Sequence, residues 1–146
     1  MSNAAIEQHI SVIGAATVET IHSLCNVDLQ QHGDAHPAVG DIFATVNLSG
    51  ELNCGVCLSM PRETATQITG KFAGFAIPFD SPDMTDAIGE IANIVAGRIK
   101  ACLDSKGIRA EISLPSVTHE PPKANSVSLT FDSPLGPVQT VLIPAA

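Results

Sequence analysis

One segment limits the possible folds more than any other. About 24 residues, Pro82–Ser105, read as a single helix of roughly 36 Å. Ser81 is placed to cap it, Pro82 sits at its first helical position, and Gly107 lies just past its end. At 100° per residue, Met84, Ile88, Ile91, Val95, Ile99 and Cys102 line one face, joined by Ala87, Ala92, Ile94 and Leu103. An apolar stripe of that width needs another layer of structure to cover it.

The rest of the chain supplies candidates for that layer. Ile42, Ala44, Val46 and Leu48 alternate with Phe43, Thr45 and Asn47. Beyond Ser49-Gly50, Leu52, Cys54, Val56, Leu58 and Met60 alternate with Glu51, Asn53, Gly55, Cys57 and Ser59. A period of two on both sides of a turn predicts a hairpin. Glu111–Val117, Val127–Phe131 and Val138–Ile143 predict three more strands, the last two joined by the turn at Asp132–Pro137. A helix is expected over Ala4–Cys25, where Ile6, Ile10, Ile13, Thr17, Ile21 and Leu24 recur at threes and fours. Another is expected over Pro61–Phe72, with Gly74 near its end. Asn26–Gly40 reads as a loop or weak strand, and Ala73–Asp80 as a connection. The predicted class is α+β: one domain over residues 1–146, an antiparallel sheet of about five strands with two long helices and an N-terminal helix packed on it. The strand order is not readable from these patterns.

Composition narrows the function. The net charge is −8, from seven Lys and Arg against fifteen Asp and Glu, so most of the surface repels nucleic acid and anionic lipid. Five Phe and no Trp or Tyr leave little with which to stack bases. A protein partner is expected, with neither nucleic acid nor membrane. No apolar run is long enough to span a bilayer, and the N-terminal stretch carries Glu7, His9 and Glu19, unlike a signal peptide. The expected location is cytoplasmic, and the four Cys are expected as reduced thiols.

The long helix has a second stripe. Asp86, Glu90, Asn93, Gly97 and Lys100 follow at intervals of four, three, four and three, so their side chains stack along one line, bordered by Gly89 and Ala96. Gly89 and Gly97 each cost about 1 kcal/mol relative to Ala. Asn93 is a poor helix former, because its amide competes for backbone groups. The residues alone leave two readings: a polar face with small residues for packing on a neighbouring helix, or a surface that a partner approaches closely.

Asp86-Ala-Ile-Gly-Glu90-Ile-Ala-Asn93-Ile-Val-Ala-Gly97-Arg-Ile-Lys100 resembles the signature helix of CheX-like proteins in the CheC/CheX/FliY chemotaxis phosphatase family. The Leu48-Ser-Gly-Glu51 turn, the Gly55-Val-Cys-Leu-Ser59 strand, the Pro61 helix and Ile112-Ser-Leu-Pro-Ser-Val117 extend the likeness over about Ile42 to Val117. The resemblance implies hydrolysis of the aspartyl phosphate on a phosphorylated CheY-type response regulator. Asn93 would orient the attacking water, and Glu90 would pair with a Lys of the regulator. Asp86, Gly89, Gly97 and Lys100 would contact the partner. That the two glycines let its loops reach the helix is an expectation from their cost in a helix, not from the resemblance. The chain would need no cofactor of its own, since the regulator would bring Mg²⁺ and the acidic cluster that holds it. Relatives in this family pair through their sheets, so a homodimer is a further expectation. In Pro61–Phe72, Glu63 is followed three residues on by Thr66 rather than Asn, which predicts one active site per chain. Arg98-Ile99 departs from the small or polar residues expected after Gly97.

Two alternatives stand beside this reading. One is a non-catalytic scaffold or regulator-binding module on the same fold. The other is a structural domain whose stripe is buried in an oligomer. Other motifs carry less. An offset of three on a strand puts Cys54 and Cys57 on opposite faces, against a redox or zinc pair. His32-Gly-Asp34-Ala-His36 lies in a loop ahead of Pro37, without a helix to fix ligands, and no metal site is expected there.

Overall fold

The structure is a computed structural model, and it describes residues 6–32, 40–122 and 126–145. In chain order the elements are α1 (Ile10–Cys25), β1 (Gln30–Gln31), β2 (Ile42–Gly50), β3 (Cys54–Met60), α2 (Arg62–Ala73), α3 (Pro82–Ser105), β4 (Ala110–Ile112), β5 (Ser116–Thr118), β6 (Val127–Asp132) and β7 (Val138–Pro144). The expected α+β architecture is present. One antiparallel sheet runs β1-β6-β7-β3-β2-β4, and β5 also pairs with β2. The three helices pack over one face of it.

The termini of α3 follow the sequence signals. Ser81 Oγ accepts from Met84 N at 3.3 Å, Pro82 opens the helix, and Gly107 turns the chain away at φ 79°. In α2 it is Pro61 that occupies the cap position, and Gly74 at φ 82° closes the helix with its N–H on Gly70 O. The hairpin also forms, but its turn is longer than a Ser49-Gly50 pair. Asn53 folds back, accepting from Gly50 N at 3.0 Å and donating to Gly50 O at 2.8 Å, so β3 begins at Cys54.

The sheet face under the helices holds the core. Ile42, Ala44, Val46 and Leu48 of β2 meet Cys54, Val56, Leu58 and Met60 of β3 and the apolar stripe of α3, with Met84, Ile88, Ile91, Val95 and Ile99 all buried. Fully burying one such side chain stabilises by about 1.5–3 kcal/mol. The opposite face carries a smaller cluster of Phe43, Cys57 and Val141, with Ile143 packed on it. Cys54 and Cys57 thus point to opposite faces, as their spacing requires.

Gln30–Gln31 pairs with β6 as a short edge strand, consistent with the loop or weak strand expected there. The other edge of the sheet departs from the sequence expectation. The single strand expected over Glu111–Val117 is two. Ile112 pairs with Leu48 and Ser116 with Thr45, so three residues, 113–115, face two, 46 and 47. That is a β-bulge at the sheet edge. It falls where Pro115 has no N–H to give to the ladder. Among the described residues, no helix is long and apolar enough to cross a membrane.

Candidate active site

The second stripe of α3 faces outward. Asp86 and Glu90 are exposed, while Asn93, Gly97 and Lys100 are half-buried. Glu90 and Asn93 are three apart on a helix, so their Cβ atoms lie about 5–6 Å from each other, one above the other. Among the described residues, neither of these side chains, nor that of Asp86, has a hydrogen-bond or ionic partner within the chain. A carboxylate and an amide therefore stand free and aligned on a rigid rod. Their orientation comes from the other side of the helix, where Ile88, Ile91 and Val95 are locked in the core.

The edge of the sheet runs alongside this stripe and ties it down at two points. At one end Lys100 Nζ lies 3.1 Å from Glu111 Oε2 of β4. At the other, Gly89 is buried beneath the bulge and β5. A Cβ placed at Gly89 would lie 3.5 Å from Pro115 Cγ and 3.5 Å from Val117 Cγ2. The close approach at Gly89 is thus made by the chain itself. Gly97 differs, because a Cβ there would meet nothing within 4 Å. Arg98, one residue on, turns to the α1 side and pairs with Glu19 at 3.1 Å.

The five stripe residues and their borders, Gly89 and Ala96, all lie on α3, as their spacing predicts. The sequence pattern does not point to the neighbours contributed by β4, β5 and the bulge, Glu111, Pro115 and Val117. The only signal for them was Pro115 inside an otherwise alternating run.

The other motifs lie elsewhere. His32 Nε2 is 3.0 Å from Asp132 Oδ2, and residues 33–39 fall outside the described ones. Among the described residues, no group of three or more His, Cys, Asp or Glu is placed to hold a metal ion.

An antiparallel sheet under three helices, with Glu90 and Asn93 on the outer line of the longest helix, defines the class of α+β domain to which the chain belongs. The family model described as "Chemotaxis phosphatase CheX" matches residues 42–131, and the chain belongs to that family. No curated protein matches it in sequence. Solved structures share the fold. Chemotaxis protein CheX from Vibrio vulnificus superposes with a TM-score of 0.82 at 17% identity, covering 92% of this chain and 94% of that one. CheX from Desulfovibrio desulfuricans gives 0.76 at 18% identity, covering 94% and 99%. A chain of the CheX-CheY-BeF3-Mg²⁺ complex from Borrelia burgdorferi gives 0.75 at 20% identity, covering 93% and 96%.

Proposed function

We propose that this protein hydrolyses the aspartyl phosphate of a CheY-type response regulator, with Asn93 orienting the water and Glu90 docking the partner. The observation that carries the reading is the pair itself: an unpaired amide and an unpaired carboxylate, stacked on an outward helix face, in a chain of the CheX family. The Borrelia burgdorferi relative is found in a complex with CheY, BeF3 and Mg²⁺, which supports a regulator as the partner.

The chemistry asks little of the chain beyond placement. An acyl phosphate is already reactive, so positioning and charge stabilisation dominate. Water attacks phosphorus opposite the aspartyl oxygen. The P–O bond to that carboxylate breaks, and inorganic phosphate and free Asp result. Asn93 suits the task because its amide both accepts and donates, holding the water by a proton while tolerating the phosphoryl oxygens. A carboxylate in that position would be repelled by them. Glu90, one turn back, is free to pair with a cationic side chain of the regulator. Mg²⁺ belongs to the regulator, which explains how a chain of net charge −8 handles a phosphate.

Asp86 extends the docking face towards the start of α3. Lys100 reaches a partner by exchanging Glu111, because an exposed ion pair of this kind holds by only about 0–1 kcal/mol. Gly97 offers open backbone to an approaching loop. Gly89 acts from beneath, letting the bulge lie close to the helix.

The test is the decay of a phosphorylated CheY-type receiver domain with and without the protein. Asn93→Ala is expected to lower the acceleration by about 100-fold while binding persists. Binding with no acceleration by the wild-type protein would replace the phosphatase by a docking module.

A further inference from the structure

Among the described residues, two large apolar side chains stand well out of the fold: Phe75 at 61% exposure and Leu114 at 87%. Phe75 lies in the connection after α2, near Thr66, Gln67 and Lys71. Leu114 is the middle residue of the bulge beside the candidate site. A lone exposed leucine is ordinary on a protein surface. Two observations set this one apart.

The first is how firmly its backbone is held. Ser113 N donates to Asn47 O at 2.9 Å, and Asn47 N donates to Ser113 Oγ at 2.9 Å. Ser113 Oγ in turn donates to Leu114 O at 2.9 Å. On the other side Pro115 is seated on Gly89 of α3 and confines Leu114 itself to extended conformations. An apolar side chain on a fixed backbone loses little freedom when a partner covers it.

The second is its place. Pro115 touches the helix at the residue next to Glu90. A standard interface covers about 800 Å² on each partner, so a protein docked over Glu90 and Asn93 also covers the bulge. Asp86 and Glu90 are exposed on that face, and among the described residues Phe75 is the only other exposed large apolar side chain. Bulges beside active sites commonly re-aim a side chain in this way.

We propose that Leu114 is the apolar anchor for the response regulator, entering a hydrophobic depression on it. It contributes equally before and during the chemical step, so it sets affinity and leaves the rate of hydrolysis alone. The inference rests on the phosphatase reading above.

The experiment measures decay of the phosphorylated CheY-type receiver domains of the source organism, each at several concentrations, with wild-type protein, Leu114→Ser and Phe75→Ser. Leu114→Ser is expected to raise the half-saturating regulator concentration about tenfold with an unchanged maximal rate, the signature of lost uniform binding. Its melting temperature and oligomeric state are expected to match the wild type, and Phe75→Ser is expected to change nothing. A half-saturation equal to the wild type, an equal effect from Phe75→Ser, or a Leu114→Ser that only alters the oligomeric state would overturn the proposal and leave the phosphatase reading standing. A wild-type protein that accelerates none of the domains would overturn both.

Discussion

At Gly97 an added Cβ meets nothing within 4 Å, whereas at Gly89 it meets Pro115 and Val117 at 3.5 Å. The two glycines look alike in the sequence, and helix propensity charges each about 1 kcal/mol. Only Gly89 has a neighbour inside the chain that accounts for it. Gly97 has none, and it follows Asn93 on the same outward line. Gly97→Ala is therefore expected to raise stability by up to about 1 kcal/mol, or roughly 2–4 °C in melting temperature for a chain of this size. The same substitution is expected to weaken acceleration of regulator decay, because the new methyl group stands where the partner's loop approaches. Calorimetry and the decay assay on one preparation check both halves. A stabilised variant with undiminished activity would remove Gly97 from the docking face.

Between elements, what mattered most for the site is the contact of α3 with the edge of the sheet. A Cβ at Gly89 fits at ordinary van der Waals distance, so Gly89→Ala is expected to be tolerated. Gly89→Val adds two methyl groups against Pro115 and Val117 and is expected to cost about 1–3 kcal/mol by overpacking. It is also expected to lower activity, although it touches neither Glu90 nor Asn93, because α3 must shift from β5 to relieve it. Urea unfolding of the two variants separates these outcomes. The sequence foretold α3 to its last residue because capping and apolar period agreed there. It foretold the stripe because helical geometry alone fixes which residues share a line. The partners of that stripe were hidden, since strand order is decided by tertiary packing. Nothing in the sequence said that Glu111 would face Lys100, or that Pro115 would lie on Gly89. The bulge was hidden for a related reason: the alternation of Ile112 and Leu114 continued through it. In a single strand that alternation would put Ile112 and Leu114 on one face, yet the extra residue leaves Leu114 exposed.

Across the whole molecule, the layering of helices on sheet determines how the thiols behave. Cys25 lies under α2, with its Sγ 3.7 Å from Ile68 O. Cys54 lies in the main core, and Cys57 on the far face of β3. Burial disfavours the charged thiolate and pushes all three upward, Cys54 to about 11 from an ordinary 9.0. For a group that titrates later when folded, the unfolded chain loses its proton first as pH rises. Its contribution to stability is therefore complete below pH 9.0 and is lost as pH rises through about 11. The protein is expected to lose stability over that alkaline window, and Cys54→Ala is expected to flatten the loss while lowering stability at neutral pH. Urea midpoints measured at several pH values for both proteins decide this. An alkaline slope identical in the two would place its source in other groups. The same burial predicts that a thiol reagent at neutral pH finds Cys102 first, the one cysteine that is not buried, and the other three only on unfolding.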